Sequence, residues 1–469
     1  MPGERKPHQR RALEVPVYNE LLMAKVGFVS LGCPKNLVDS EVMLGLLARE
    51  GHTITSDQSQ ADIIVVNTCG FIESAKQESV DTILEMAQQK TAGNCKRLIV
   101  AGCLVERYRR EISDEIAEVD AVIGTNELPN ILHLCKDLGQ PVRVPPVFEG
   151  REGYLYSDSD PRVLTTARHT AYVKIAEGCD HPCTFCVIPQ MRGFFRSRPR
   201  ESVVREVRGL AESGVREVNL IGQDTTMFGW DRGDRTGLAR LIEDLDEIEG
   251  IEWVRFLYAY PNNIYDELLR VMARVPKACK YIDVPLQHAA SPVLKRMKRG
   301  GNRHSLTHLV GKIRELVPGV AIRTTMIVGF PGETEEDFEE LLGFVEEARF
   351  ERLGVFTYSD EESAASQGLG NKVHPEVASR RRDQVMKRQS RISRQANQKL
   401  VGTRPMVLLD GPSRESDLLW EGRLSTQAPE IDGVVYLTDG LDDESRPGEL
   451  REVLITEAHD YDLVGQVLP

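Results

Sequence analysis

Long apolar runs are missing from this 469-residue chain. No stretch approaches the roughly 18 apolar residues that a membrane-spanning helix needs. The opening segment, residues 1–22, carries charge but no apolar core, so it predicts a disordered extension and no signal peptide. In a chain without an export signal, an odd count of 9 cysteines argues against a disulfide framework and for thiolate chemistry in a reducing compartment. We therefore expect a cytoplasmic protein that makes no membrane contact.

The most distinctive cysteines are also too few to close a metal site. Cys179, Cys183 and Cys186 follow the strand-like run 171–175 and supply three thiolates, whereas a structural zinc ion takes four ligands. Cuboidal iron–sulfur clusters are also held by thiolates within one short loop, and three ligands leave one iron open to a substrate or cofactor. The spacing favours an iron–sulfur cluster over zinc or over a chance cluster of cysteines on a helix turn.

The chain has no internal repeat and no low-complexity tract, and its length indicates about three domains. The first, residues 23–135, alternates short apolar strands with helix-like segments, which is typical of a doubly wound parallel α/β sheet. The predicted strands are 25–32, 62–70, 97–103 and 120–125.

Three of these strands end in cysteine: Cys33, Cys69 and Cys103. The carboxyl ends of parallel strands meet at one edge of a sheet, so the three thiols are predicted to lie together as a second three-thiolate site. The alternative is that they are buried cysteines that pack as small apolar side chains. Cys95, Cys135 and Cys279 lack this placement and are interpreted as ordinary thiols.

Residues 136–168 look like a linker, and residues 169–402 then contain six strand-and-helix units. Six units are fewer than the eight of a closed barrel, so we expect an open, partial (β/α)6 barrel with its active site at the carboxyl ends of the strands. The stretch 169–402 ends in a basic helix, 374–402, which either presents a solvated face or contacts phosphate or RNA. Residues 403–469 predict a small antiparallel β-barrel as the third domain.

Several motifs resemble one known family. The loop CDHPCTFC (179–186) is similar to the cluster loop of radical S-adenosylmethionine (SAM) enzymes. SLGCPKNLVDSE (30–41), together with the strand-end cysteines, resembles the amino-terminal domain of the methylthiotransferases, and the last domain resembles their TRAM domain. The likeness spans about residues 25–469 and favours the RimO type, which methylthiolates an aspartate of small-subunit ribosomal protein S-12. Further sequence segments that support the resemblance are IPQMRG, GQDTTMFG, YIDVPLQHA and GRLSTQAPEIDGVVYL.

The resemblance implies two 4Fe–4S clusters and SAM as cofactors. Cys179, Cys183 and Cys186 would hold the cluster that binds SAM, whose reductive cleavage gives a 5'-deoxyadenosyl radical. Cys33, Cys69 and Cys103 would hold an auxiliary cluster that carries the sulfur. A second SAM would supply the methyl group, and an electron donor such as flavodoxin or ferredoxin is implied. The protein's part is to position these groups and to exclude water.

Other strand ends offer candidate cofactor contacts. Phe185 lies between two cluster cysteines and is predicted to shield the cluster. Gln223, Asp224 and Arg323 are polar candidates for the adenosyl or substrate groups, although each could be a satisfied barrel residue. Gly329 and Gly332 could let the backbone approach SAM, or could simply begin the next helix. His288 is either structural, a ligand or a base.

The choice of substrate depends on the charge of the third domain. Residues 403–469 contain 15 acidic side chains, 5 arginines and no lysine, a balance of −10 within the whole chain's −13. Such a domain would repel RNA phosphates and suits a basic ribosomal protein. The alternative substrate is the tRNA adenosine that MiaB-type enzymes methylthiolate, which the basic helix keeps open. A two-cluster electron carrier without catalysis is a third hypothesis, but it gives no reason for a half-open barrel with polar strand tips.

Overall fold

The computed structural model describes residues 23–136, 138, 153–416, 418–442 and 444–468. The predicted extension 1–22 lies outside the described residues, as do residues 137 and 139–152 of the predicted linker. Among the helices that are described, none is long and apolar enough to cross a membrane.

The amino-terminal part is a five-stranded sheet. Its strands are all parallel and follow the order β2-β1-β3-β4-β5. Its elements are β1 Lys25–Ser30, α1 Pro34–Arg49, β2 Thr53–Thr55, β3 Ile63–Thr68, α2 Glu73–Ala87, α3 Gln89–Ala92, β4 Arg97–Gly102, α4 Cys103–Glu115, β5 Ala121–Ile123 and α5 Ile131–Leu134.

This sheet confirms the predicted doubly wound α/β fold. Every residue of β3 and β4 is buried, as expected for parallel strands that are covered on both faces. The edge strand β2 was not predicted, because a three-residue Thr-Ile-Thr segment carries no apolar run.

The central part contains six parallel strands, each followed by helical structure. Its elements are β6 Thr170–Lys174, β7 Ala176–Glu177, α6 Ile188–Arg192, β8 Arg196–Ser197, α7 Arg200–Glu212, β9 Glu217–Ile221, α8 Gly237–Asp246, β10 Trp253–Phe256, α9 Asp266–Arg274, β11 Tyr281–Asp283, α10 Ser291–Met297, α11 Arg303–Leu316, β12 Ala321–Val328, α12 Glu335–Ala348, β13 Arg352–Thr357 and α13 Pro375–Gln398. The short hairpin of β7 and β8 was not predicted.

The six main strands form an open partial barrel, as predicted. Strands β6, β9 and β10 pair in one parallel sheet, and β11, β12 and β13 pair in another. The backbone N–H of Ala259 donates to the carbonyl of Asp283 at 2.8 Å, which joins the two sheets where β10 and β11 meet. Within the described residues β6 and β13 do not pair, so the barrel stays open on that side.

Helix α13 packs on the barrel and is not a free basic face. Arg381 is buried and pairs with Glu333 and Glu335 at 3.0 and 2.9 Å. Gln389, also buried, donates to the carbonyl of Phe350 at 2.8 Å. Part of the helix is therefore used for packing, and the predicted solvated face is confined to its outer side, where the exposed basic residues are Arg380, Lys387, Arg391, Arg394 and Lys399.

The last part is a closed five-stranded barrel in the order β14-β15-β16-β18-β17. Its strands are β14 Met406–Pro412, β15 Trp420–Leu424, β16 Val435–Asp439, β17 Leu450–Ala458 and β18 Leu463–Val467. All pairs are antiparallel except β16 with β18, which is parallel. The prediction of a small β-barrel is confirmed, with β18 as the strand that was not predicted.

This small barrel packs against the amino ends of the central strands. Glu217, the first residue of β9, is fully buried and binds Arg423 at 2.8 Å. His169, just before β6, contacts Asp410 at 2.8 Å. Because the carboxyl ends of the same strands lie at the other end of the barrel, the acidic third domain and the predicted active site are at opposite ends.

Candidate active site

A cavity of about 420 Å³ lies where the amino-terminal sheet meets the carboxyl ends of the central strands. All six predicted cluster cysteines line it, together with side chains from both domains. The two three-cysteine sets therefore face one cavity, although about 76 residues separate Cys103 from Cys179. Cys95, Cys135 and Cys279 are not among the residues that line this cavity.

Adjacent strands bring the first set together. Cys33 precedes α1, Cys69 follows β3, and Cys103 opens α4 directly after β4. Since β1, β3 and β4 are neighbours in the sheet, the three residues reach one edge. Gly32 has φ 89°, and a Cβ placed there would lie 2.8 Å from the Cβ of Cys69. The close approach of these two loops therefore requires a glycine.

Buried charge acts on these thiols. Burial raises the pKa of Cys33, but Lys35, Arg192 and the backbone N–H groups at the start of α1 outweigh burial and bring it below the usual value. Burial raises the pKa of Cys69, and it raises that of Cys103 to about 12 although Arg192 opposes the effect. Iron binding must therefore release protons from the more deeply buried thiols.

The second set sits on a loop that hydrogen bonds hold in place. The N–H of Cys179 donates to the carbonyl of Gly193 at 3.1 Å, and the N–H of Thr184 donates to that of Met297 at 3.0 Å. Burial raises the pKa of Cys179 to about 11 and that of Cys186 to about 12. Negative charge on Cys183 would add to the rise in pKa at both thiols, as charge on Cys33 does at Cys69 and Cys103.

An aromatic stack supports the same loop. The ring of His181 lies parallel to that of Tyr260, with the ring centroids 3.6 Å apart. Arg299 lies 4.2 Å from the Tyr260 ring and approaches the sulfur of Cys183 at 3.6 Å. Asp224 accepts hydrogen bonds from His181 at 2.7 Å and from Asn263 at 2.8 Å. The stack thus fixes one side of the loop and brings a guanidinium to one of its thiols.

Four buried charges join the two domains beside the cavity. Arg192 donates to Asp39 at 3.0 Å and to Glu177 at 3.1 Å, and Lys174 donates to the same two carboxylates. Gln223 donates to Glu177 at 2.7 Å. Burial opposes ionisation of Glu177, but Arg192 and Lys174 hold its pKa well below the usual range. This network positions Arg192, which lines the cavity, near Cys33 and Cys103.

A second wall of the cavity contains Lys35, Tyr258, Asp283 and Arg323. Asp283 is buried and accepts hydrogen bonds from the Tyr258 N–H at 2.9 Å and from Arg323 at 2.7 Å. Tyr258 has φ 63°, which is rare for a bulky side chain. Its ring lies beneath the ammonium of Lys35, 3.3 Å from the ring centroid.

The donor set fits iron–sulfur clusters better than single metal ions. Within the described part of the chain, no three His, Cys, Asp or Glu side chains form a group that could hold a metal ion. A cuboidal cluster makes a different demand, because each of its thiolates binds a different iron atom and the sulfur atoms remain apart. Two sets of three thiols, on one cavity with four lining cations, meet that demand.

The structure brings only some of the predicted cofactor residues to the cavity. Phe185, Gln223 and Arg323 line it, and the Gln223 Oε1 atom is buried without a partner among the described residues. Asp224 is not among the lining residues and instead holds His181 and its own turn. The geometry therefore favours Asp224 as a barrel residue whose hydrogen bonds are satisfied within the protein, rather than as a contact for the adenosyl or substrate groups.

Gly329 and Gly332 are also absent from the cavity lining. Gly329 has φ 78°, and a Cβ there would lie 2.5 Å from that of Ala378 on α13. Its N–H and that of Phe330 donate to Glu333. The turn is thus required for helix packing. His288 is buried outside the cavity, where its Nδ1 accepts the N–H of Ala290; burial, then Arg296 and Arg381, lowers its pKa to about 3.

Apart from Arg323, sequence reasoning missed the cations and the carboxylate that line the cavity. Lys35 follows a predicted ligand by two positions, and Arg192 lies in the string IPQMRG, but nothing in their spacing indicates which way they point. Asp283 ends β11, whereas Arg299 follows helix α10. A systematic search of charged residues within a few positions of each strand end could have found Lys35 and Asp283.

Three family models match successive parts of the chain. They are the Uncharacterized protein family UPF0004 over residues 25–124, the Radical SAM superfamily over 173–345 and the TRAM domain over 401–468. The two cysteine sets fall in the first and second of these segments.

A solved structure confirms the similarity of fold. The radical S-adenosylmethionine methyltransferase TsrM from Kitasatospora setae, solved with tryptophan substrate and a SAM analogue, matches with a TM-score of 0.51 and 16% identity. The match covers 82% of this chain and 78% of that one. At this identity the similarity concerns the fold alone.

Curated proteins match over nearly the whole length. The ribosomal protein uS12 methylthiotransferase RimO of Solibacter usitatus is 58% identical, with 95% of each chain covered. The proteins of the same name from Koribacter versatilis and Geotalea uraniireducens are 52% and 47% identical, with 95% of this chain and 96% and 98% of theirs covered. The chain therefore belongs to the family of the ribosomal protein uS12 methylthiotransferase RimO, whose central domain is a radical SAM domain.

Proposed function

We propose that this protein is a radical SAM transferase that adds a methylthio group to the β-carbon of an aspartate in ribosomal protein uS12. The observation that carries the proposal is the cavity on which two separate sets of three cysteines meet. Membership of the RimO family points to the same activity. A noncatalytic electron carrier would need the six thiols but not a cavity of about 420 Å³ between them.

Each cysteine set has its own role in the proposal. Cys179, Cys183 and Cys186 would hold the 4Fe–4S cluster that binds SAM, and Cys33, Cys69 and Cys103 would hold the auxiliary 4Fe–4S cluster. When bound, the clusters and SAM supply the radical, sulfur and methyl chemistry that side chains cannot perform at neutral pH. One SAM is used to generate the radical and another as methyl donor.

The chain's own residues prepare the site for this chemistry. The His181–Tyr260–Arg299 stack holds the loop of the second set, and Arg192 offsets thiolate charge beside the first set. Gln223 and Arg323 offer polar groups for SAM or substrate, and Phe185 covers one side. Asp224, Gly329 and Gly332 would act on SAM only through the residues that they position.

The substrate proposal also rests on charge. Arg423, one of the five arginines of residues 403–469, is buried against Glu217 and Asp410 and is unavailable to a partner. Because Asp410 is one of the 15 acidic residues of this domain, taking this pair away leaves the domain's balance at −10. That balance suits a basic ribosomal protein and disfavours tRNA. Because the domain lies at the amino ends of the barrel strands, a partner that touches it must extend along the barrel to reach the cavity.

Three finer points complete the proposal. A flavodoxin or ferredoxin would donate electrons, and the ribosomal substrate places the enzyme in the cytoplasm. The functional domains would be residues 23–135, 169–402 and 403–469, with 136–168 as the connection. All of the described strands fall within these three ranges.

A competition experiment tests the substrate. The enzyme is reconstituted anaerobically with iron and sulfide, reduced, and offered SAM together with equimolar uS12 and unmodified tRNA. Mass spectrometry should find the methylthio group on an aspartate of uS12 and none on tRNA. Modification of tRNA alone would overturn the proposal, and release of no 5'-deoxyadenosine would favour the electron carrier.

A further inference from the structure

Lys35 is a nearly buried cation on the wall of the cavity. Its side chain lies in the first turn of α1, and the residue is only 8% exposed. Among the described residues its ammonium forms neither an ion pair nor a hydrogen bond, and its closest recorded contact is the face of the Tyr258 ring. A buried ammonium without an acceptor is unfavourable, so this position is suited to an anion that arrives from the cavity.

The other cations that line the cavity are already engaged. Arg192 is paired with Asp39 and Glu177. Arg323 is paired with Asp283 at 2.7 Å. The fourth cation, Arg299, donates to the carbonyl of Pro285 at 2.6 Å and lies on the sulfur of Cys183. Lys35 is thus the lining cation that has no carboxylate or carbonyl acceptor in the described part of the chain, although its charge acts on the neighbouring Cys33 thiol.

The backbone around Lys35 is arranged at some energetic cost. The left-handed conformation of Tyr258 is unfavourable by about 1–2 kcal/mol for an L-residue, and two hydrogen bonds maintain it. Its N–H donates to Asp283 at 2.9 Å, and its carbonyl accepts the N–H of Thr225 at 3.2 Å. Strain of this kind, maintained at a strand tip on a cavity, marks a position that is held for function.

We propose that Lys35 binds the side-chain carboxylate of the substrate aspartate and thereby selects an acidic side chain as the target. This inference rests on the proposed function. In aspartate the β-carbon is bonded directly to the carboxylate carbon. A residue that holds the carboxylate in place therefore also fixes the position of the reacting carbon. Lys35 is two residues from Cys33 and on the same cavity as Cys179, Cys183 and Cys186, so the anchored carbon would lie in the cavity that both cysteine sets line.

Paired peptides test the charge preference directly. One peptide spans the modified aspartate of uS12, and the other carries asparagine at that position, which removes the charge but keeps the shape. Binding to the reconstituted enzyme in the presence of SAM is measured by fluorescence anisotropy. A hydrogen bond to a charged group predicts that the wild type binds the aspartate peptide about 10- to 100-fold more tightly. Equal binding of the two peptides by the wild type would overturn the proposal without any variant.

Variants then locate the preference. Lys35→Met should bind both peptides within about twofold of each other, whereas Lys35→Arg should retain a clear preference. Lys96→Met, which removes an exposed lysine of the same domain, serves as the matched control. Iron content is measured for each protein, because Lys35 also lies near Cys33. If Lys35→Met keeps the preference and Arg323→Met loses it, the carboxylate site is Arg323 and the proposal fails.

The outcome is distinguishable from failure of the proposed function. A wild-type enzyme that modifies only tRNA disproves the uS12 activity whatever Lys35 does. A wild-type enzyme that modifies uS12, combined with a Lys35→Met variant that still prefers the aspartate peptide, disproves the role of Lys35 alone.

Discussion

Replacing Gly329 by alanine tests whether this strand-tip glycine is needed for helix packing or for SAM. Two penalties are expected. The backbone has φ 78°, which is unfavourable for alanine by about 1–2 kcal/mol. The new Cβ would lie 2.5 Å from that of Ala378 on α13, and relief of such overpacking costs about 1–3 kcal/mol. The variant should therefore lose about 2–5 kcal/mol of unfolding free energy.

Two further variants separate these penalties. Gly319 has almost the same φ, 79°, but no atom lies within 4 Å of the Cβ position, so Gly319→Ala should lose only the backbone penalty. Ala378→Gly alone should lose about 1 kcal/mol of helix propensity. Combined with Gly329→Ala it removes the clash, so the double variant should be more stable than the sum of the single losses predicts.

The assay is urea unfolding followed by circular dichroism, with SAM affinity of the folded proteins measured by calorimetry. SAM affinity should be similar in the wild type and all three single variants. The packing argument is refuted if Gly329→Ala is no less stable than Gly319→Ala. A tenfold loss of SAM affinity in Gly329→Ala without that extra instability would instead make Gly329 a cofactor contact.

Two other substitutions test the assignment of the cysteine sets and the attachment of the third domain. Cys103→Ala should still release 5'-deoxyadenosine, measured by chromatography, but should transfer no methylthio group, measured by mass spectrometry. The control Cys95→Ala should retain both activities. Loss of both activities in Cys103→Ala would contradict separate roles for the two cysteine sets. Glu217→Gln removes the carboxylate that pairs with two buried arginines. It should therefore lower the unfolding free energy by about 3–5 kcal/mol. The control Glu449→Gln removes an exposed pair with Arg451 and should change it by less than about 1 kcal/mol. Equal thermal shifts in the two glutamate variants would show that the buried pairs do not anchor the domain.

The regular fold was predictable because its signals are local. Alternating apolar strands and helical segments identified the parallel sheet and the six-unit barrel, and strand-end position placed Cys33, Cys69 and Cys103 together. Elements without such signals were missed. Strand β2 is a three-residue edge, and β18 closes a barrel by pairing in parallel with β16, a choice that only the tertiary arrangement makes.

The site was predictable as a set of ligands but not as an environment. Cysteine spacing carries the chemistry of iron binding, so six residues could be named from the sequence. Whether a charged side chain faces a cavity depends on contacts between distant segments. Asp224 and Arg323 look alike at strand ends, yet one is taken up by His181 and the other lines the cavity beside Lys35. Such differences arise only when the domains pack.

Because two domains form the cavity, its two sides are made at different times during synthesis. Domains generally fold as units, with the amino-terminal one first. The sheet that carries Cys33, Cys69 and Cys103 is complete at Ile123, whereas the barrel residues that enclose the cavity extend to Phe356. At about 5–20 residues per second, the roughly 250 residues between Cys103 and Phe356 take on the order of 10–50 s to translate. For that interval three thiols stand on a finished sheet edge without their cover, so protection from oxygen matters most while the ribosome is still making the chain.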